Sequence, residues 1–376
     1  VQSGIATDTV AADNQTLVSE TAGTTVTSDG LCVDNAGNAD TSASVGPVKI
    51  DKTAPVITGV ATPAANANGW NKTSVSVTFT CADTGAVQST IDIDTVAGDN
   101  QNLTGQTTGT TVTSDGQCVD KAGNSDTFAS VGPIKIDLTD PSVAIVSPAT
   151  GLVTVAESIA VYGTASDDPS GIDNVKVNGG PDAIYSSGAW SSMVSLACGS
   201  NTITAVATDV AGRTTTSGSI TVTRVCASSL TYYQPIDQST TTPVVNTGKM
   251  GRVIPVKVTG TLTLGGSPVA MTEAFLNANG LTLHIDVNFA SCNGTFSADA
   301  VETYADAGSS NGNTSQFRWS TSQWIYNLDT GRPPAVTMTV NQCYRLDVML
   351  RDSSGVQILL SSGPGGGTYA LFKPTK

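Results

Sequence analysis

Charge is scarce in this sequence. Only 13% of its 376 residues are Asp, Glu, Lys or Arg, where a soluble domain carries about 25%. The charge present leans to one sign. Against 31 acidic residues stand 17 basic ones, a net charge of -14, which argues against the basic footprint of a nucleic-acid or anionic-lipid binder. His284 is the single histidine. His-rich metal sites are therefore excluded, and acid–base catalysis would have to run on carboxylates. No run of 18 apolar residues occurs, so no helical membrane span is expected. No useful stretch repeats apolar residues at helical spacing. Gly-x-x-x-x-Gly-Lys-Ser/Thr is not present, so the common phosphate-loop signature is missing.

Ser, Thr, Gly, Asn, Val and Ala fill the space left by charge, a mixture that favours strands and turns. Val75, Val77, Phe79 and Cys81 alternate with Ser or Thr, and Leu281, Leu283, Ile285 and Val287 alternate likewise; this is the period-2 mark of half-buried strands. An internal repeat is plain. Residues 23–55 and 109–141 align without a gap, at an offset of 86 residues. The second copy is whole, but the first copy's start projects before Val1. The expectation is the C-terminal part of a longer polyprotein-like sequence, or a processed product of one. The expected modules are residues 1–51 (the C-terminal part of a repeat), 52–137 (a complete repeat), 138–225 (a second type, with strands near 143–147, 158–164, 173–178, 201–209 and 218–225) and 226–376. The proline-bearing junctions at 50–55 and 136–141 predict short, stiff linkers.

Seven cysteines in so acidic and polar a chain read as an oxidised, extracellular framework. Cys81 ends an early strand of the second module and Cys118 sits in a late one, the placement of a bridge between two sheets of an immunoglobulin-like sandwich. Cys32 is the repeat equivalent of Cys118, and its partner would fall upstream of Val1, outside this segment. Cys198 and Cys226 lie symmetrically about Gly212, so a hairpin centred there sets them opposite each other. Cys292 and Cys343 are paired by elimination.

The Asp-x-Ala-Gly-Asn turn (Asp34–Asn38 and Asp120–Asn124), the cysteine pair and the Ile-Asp-x-Thr-x-Pro linker resemble bacterial Ig-like repeats of large surface proteins. The stretch from Asn201 to Asp209 with Ala211-Gly212 is similar to Ig-like modules appended to secreted glucan-degrading enzymes. The last region resembles the PxKF domain of secreted bacterial proteins: Gln234-Pro235-Ile236, the run Gly251 to Val258, Phe317-Arg318-Trp319 and the closing Tyr369 to Lys373. It departs at Val258, where the family has Phe. The fold expected is all-β, with tandem immunoglobulin-like β-sandwich domains in an extended array. The resemblance implies a secreted or surface-attached, non-catalytic protein and supplies no catalytic residues.

Two side-chain groups invite a binding role. Asp51, Asp120, Asp137 and Asp140 cluster around the turn and linkers of the second module, and Asp167, Asp168 and Asp173 gather in the third. Oxygen-rich clusters of this kind suit Ca²⁺, although Asp also builds turns by bonding its own backbone. Calcium is thus the one cofactor the sequence raises. Trp319, Trp324 and Tyr326, with Phe317, could form a stacking platform for sugars, or could pack a core. His284 shares a strand face with Thr282 and Asp286, opposite the apolar side, and reads as a solvated polar residue. The functional expectation is a non-catalytic extracellular structural or adhesive protein: a surface stalk, a surface layer or a filament component. Its partners would be other copies of itself, other cell-surface components or glycans. The alternative is an accessory region of a secreted carbohydrate-active enzyme whose catalytic domain lies upstream.

Overall fold

A computed structural model describes residues 2–239, 243–265, 267–297, 314–334, 336–360 and 368–376. The chain is all-β, built as tandem β-sandwich domains. It divides by contact into two units. The first is Val1–Pro141 with Asp167–Asp173 and Thr208–Thr214; the second is Ser142–Ser166, Asn174–Ala207 and Thr215–Lys376.

In the first unit the sequence repeat becomes a repeat of register. Ile5–Asp8 pairs antiparallel with Cys32–Asp34, and Ile91–Asp94 pairs in the same way with Cys118–Asp120. Thr21–Ser28 meets Ala43–Ile50 through Val26 and Val45, and Thr107–Ser114 meets Ala129–Ile136 through Val112 and Val131. Even a short turn is copied. Asp13 accepts bonds from Ser28 Oγ and Gly30 N, as Asp99 does from Ser114 Oγ and Gly116 N.

The second copy adds a three-stranded sheet of Gln101–Leu103, Val75–Ala82 and Val56–Thr62. Val75, Val77 and Phe79 point inward and Ser76, Thr78 and Thr80 outward, as the alternation predicts. They pack against Ile57, Val96, Val112, Ile134 and Ile136 in one core. Among the described residues no such layer covers the matching face of the first copy. Val112 is 1% exposed, whereas its counterpart Val26 is only half-buried and lines an open cleft of about 630 Å³ with Leu17, Val45 and Ile50.

The body of the second unit begins with a four-stranded sheet, Ser142–Ser147, Ser158–Ser166, Ala189–Ser195 and Ile184–Ser186. Gly163 pairs with Trp190, and the indole covers the glycine backbone: a Cβ there would lie 2.2 Å from Trp190 Cζ2. Gly59 and Phe79 repeat the device in the first unit. A single strand at 201–209, expected from the sequence, is two strands. Gly199–Ile203 pairs with Ile220–Arg224, while Ala205–Asp209 joins a different sheet with Ile172–Val177 and Thr214–Thr216. The break at Thr204 lets the chain change layers.

Beyond residue 225 two larger sheets face each other. One holds Cys226–Tyr233, Val253–Leu264, Gln323–Asp329 and Arg318–Ser320; the other holds Thr282–Ala290, Cys343–Arg351, Ala370–Thr375, Val244–Lys249 and Thr295–Phe296. One six-residue helix, Glu273–Ala278, was not expected; Thr272 Oγ1 caps it by accepting from Phe275 N at 3.2 Å. Val155 and Val225 belong to the same apolar core as Leu283, Val348 and Phe372. Thr154 Oγ1 donates to Asp352 Oδ2 at 2.7 Å. This shared core explains why residues on both sides of 225 form one contact unit. The glycine-rich stretch Gly363–Gly367 lies outside the described residues. Among the described residues no helix is long and apolar enough to cross a membrane.

Candidate metal centre

One turn occurs three times in the chain, and its environment differs each time. The first Asp of each Asp-x-Ala-Gly turn accepts, through Oδ1, the backbone N–H four residues on: Asn38 N to Asp34 at 2.9 Å, Asn124 N to Asp120 at 2.8 Å, Arg213 N to Asp209 at 2.8 Å. The second carboxylate oxygen separates them. Asn38 Nδ2 donates to Asp34 Oδ2 and Asn124 Nδ2 donates to Asp120 Oδ2, each at 2.8 Å. In the third turn arginine stands in place of asparagine. The Arg213 side chain turns away, to Asp140 Oδ1 at 2.8 Å and to Lys72 O at 3.0 Å. Asp209 Oδ2 is left buried with no partner.

Two of these turns sit inside carboxylate triads. Asp51, Asp83 and Asp120 bring one oxygen each to within 4.8 Å of one another, and so do Asp137, Asp167 and Asp209. In each triad the members come from a linker, the loop after a long strand, and the Asp-x-Ala-Gly turn. In the first triad Asp51 accepts from Thr53 N and Ser89 N, and Asp83 Oδ2 from Thr90 N. In the second, Asp137 accepts from Thr139 N and Ser170 N, and Asp167 Oδ2 from Ser170 Oγ and Gly171 N. Asp137 and Asp209 are 0% and 1% exposed.

The electrostatics follow the hydrogen bonds. The Asn38 amide holds Asp34 down to about 2, because a donor to the charged form favours it. The Ser89 bond likewise lowers Asp51. Asp209 is pushed up, first by burial and further by the charge of Asp137; Asp167 is pushed up by burial, with Asp137 and Asp209 adding to it.

Asp51 and Asp120 meet in the first triad and Asp137 lies in the second. Asp140 belongs to neither; it is the ion partner of Arg213. Of Asp167, Asp168 and Asp173 only Asp167 joins a triad, the second, and Asp83 and Asp209, which the sequence reading did not single out, complete the two.

Residues 141–225 match the model of a family described as "Glucodextranase, domain B". This module thus supplies Asp167 and Asp209 to the second triad. No curated protein matches the chain. Solved structures with a similar fold include fibronectin(III)-like modules of Clostridium thermocellum CbhA (16% identity, 45% of this chain and 94% of that one, TM-score 0.27). A Bacteroides ovatus mixed-linkage glucan utilization locus protein, SGBP-B, in complex with a mixed-linkage heptasaccharide, is also similar (11% identity, 87% and 71%, TM-score 0.17). So is an endo-fucoidan hydrolase of glycoside hydrolase family 107 (13% identity, 83% and 42%, TM-score 0.19).

Three disulfides are formed, Cys81–Cys118, Cys198–Cys226 and Cys292–Cys343, and Cys32 is a free thiol. The expected sugar platform is not a surface. Trp324 and Tyr326 are 6% and 1% exposed, donating to Met271 O at 2.6 Å and Thr314 O at 2.8 Å, while Phe317 is buried and Trp319 half-buried beside them. The Gln323–Asp329 strand is buried on both faces, so these rings fill the core. His284 is half-buried rather than solvated, with Thr282 Oγ1 at 2.9 Å and Ser315 Oγ at 3.0 Å. An apolar row that the sequence reading missed lies on the domain-B-like module, where Tyr162 and Ile184 flank Ser191 across three strands, all but Ser191 exposed.

Proposed function

We propose that this chain is a non-catalytic, disulfide-braced accessory region of a secreted protein that acts on glucans. The observation that carries this reading is the match of residues 141–225 to the glucodextranase domain B model. The three disulfides support an oxidising, extracellular compartment. The β-sandwich modules would hold a sugar-acting domain, placed upstream, at a set distance from its neighbours. Glycans and the upstream domain are then its partners.

The test uses the purified, oxidised chain. Incubated with soluble and insoluble α- and β-glucans it should release no reducing ends. Fused to the C-terminus of a glucanase catalytic domain, it should change the rate on insoluble glucan and leave the rate on soluble oligosaccharides unchanged. Glucan hydrolysis by the chain alone refutes the non-catalytic half of the reading; equal rates with and without the fusion on both substrates refute the accessory half.

A second reading, a surface stalk or filament component, draws on the 86-residue repeat and on Cys32, free where Cys118 is bridged. In that case the sulfur partner of Cys32 lies outside this segment or on another copy. A disulfide-linked ladder on non-reducing electrophoresis, abolished by Cys32→Ser, favours it.

A further inference from the structure

We infer that the carboxylates of Asp137, Asp167 and Asp209 form a Ca²⁺ site. The inference does not depend on the glucan reading above.

Three observations bear on it. The triad concentrates three carboxylates with oxygens within 4.8 Å of one another. Oxygens held that close can share one cation, because they fit within the ligand sphere of about 4.6–5.2 Å diameter that twice the Ca–O distance sets. Second, Asp209 is 1% exposed and its Oδ2 has no hydrogen-bond partner; Asp167 Oδ1 is buried and unpartnered as well. A buried carboxylate oxygen without a donor is costly and demands a compensating charge. Third, no Lys, Arg or His ion-pairs with the three among the described residues, and Arg213, on the same turn as Asp209, is engaged by Asp140. All donors in the triad are oxygens. A hard cation fits this donor set, and a nitrogen- or sulfur-seeking metal does not.

The first triad supplies the internal contrast. There Asp83 Oδ1 is buried without a partner, as Asp167 Oδ1 is in the second, but Asn124 Nδ2 fills the position facing Asp120 Oδ2, so the carboxylate of the turn itself is satisfied by an amide. The change from Asn124 to Arg213 at the equivalent turn position withdraws that amide and opens Asp209 toward Asp137 and Asp167. The selectivity is therefore written in one residue outside the triad.

The experiment is calorimetric titration of the EGTA-stripped full chain with CaCl₂, paired with its thermal transition. Saturable binding is expected at or tighter than the millimolar range of extracellular calcium modules, with a rise in Tm as the bound state is favoured. Asp167→Asn and Asp209→Asn should each weaken it by at least about tenfold, Asp167 serving as the variant least exposed to a folding defect because it is half-buried; circular dichroism checks both. Asp83→Asn should leave that binding within about threefold. Arg213→Asn should weaken it by restoring the amide, whereas Arg213→Ala should leave it unchanged or tighter. No saturable heat and no Tm shift up to about 10 mM Ca²⁺, binding indifferent to both Asp167→Asn and Asp209→Asn, or binding lost only in Asp83→Asn would each overturn the assignment.

Discussion

Replacing Asp209 by Asn should stabilise the protein when divalent cations are stripped away. Asp209 Oδ1 accepts from Arg213 N, and an Asn carbonyl keeps that bond. At Oδ2, which has no donor, the substitution places an amide N–H facing Asp137 and Asp167, much as Asn124 faces Asp120. Unit charges at the outer limit of 4.8 Å repel by about 3.5 kcal/mol at an effective dielectric near 20. Solvent screening on the half-exposed side of Asp167 reduces this to roughly 1–3 kcal/mol of relief, the range seen when unbalanced buried charge is removed. For a unit of this size that is roughly 2–4 °C in Tm per kcal/mol. Differential scanning calorimetry in EGTA at pH 7 reads it directly. The same substitution at Asp120 should do the opposite, because it sets an amide donor against the Asn124 Nδ2 donor already there, at a cost of about 1–3 kcal/mol. If Asp209→Asn lowers Tm in EGTA as much as Asp120→Asn does, the carboxylates are not in repulsive contact and the reasoning fails.

Gly163→Ala should cost about 3 kcal/mol or more, since its Cβ would fall 2.1 Å from Ala144 O and 2.2 Å from Trp190 Cζ2, an overpacked site; chemical denaturation followed by Trp fluorescence measures it, and an unchanged midpoint contradicts the packing. The three disulfides close loops of 37, 28 and 51 residues, worth about 4 kcal/mol each by chain entropy, so accessibility decides their order of reduction. Cys198 is exposed while Cys118 and Cys343 are fully buried, and alkylation with mass mapping under mild dithiothreitol should find Cys198–Cys226 open first. Burial pushes Tyr326 up to about 12; its native value lies above the unfolded one near 10, so its share of stability, roughly 3 kcal/mol, is lost as pH rises from 10 to 12, and Tyr326→Phe should flatten that part of an alkaline unfolding curve. His284 is shifted down by burial and by Arg351, so the unfolded chain binds its proton first, stability falls as pH drops below the ordinary histidine value, and His284→Gln should remove this slope.

The repeat was legible because its signals are local. Val75, Val77 and Phe79 alternate, and the glycine turns punctuate fixed positions, so strand existence and the registers about Gly212 follow from short spans. The triads were only half legible. Asp83 and Asp167 sit in loops whose closeness to Asp51 and Asp137 depends on how two sheets stack, and no spacing rule reports that. Asp140 shares a linker with Asp137, yet it was Arg213, 73 residues away in sequence, that decided its partner. Trp324 and Tyr326 show the limit of a period-2 reading. Alternation tells which residues share a face but not whether both faces are covered, and here both are. Residues 201–209 read as one strand because the pattern runs through Thr204, where the backbone changes sheets.

Three copies of one turn thus occupy three electrostatic states on nearly the same backbone. Asp34, partnered by Asn38, is a low-pKa turn carboxylate. Asp120 keeps the same cap but is buried in a triad. Asp209 is buried in a triad without the cap. A sequence under pressure for stability alone would retain the asparagine, since an amide facing a buried carboxylate is worth about 1–3 kcal/mol. Arginine at that position gives up this bond for a part-exposed pair with Asp140, which contributes at most about 1 kcal/mol, and a hydrogen bond to Lys72 O, and neither supplies a donor to Asp209 Oδ2. The exchange is unfavourable for an empty site and becomes favourable once a divalent ion supplies the missing charge. A local rule broken where its repair needs one residue is the pattern expected of a site kept for binding.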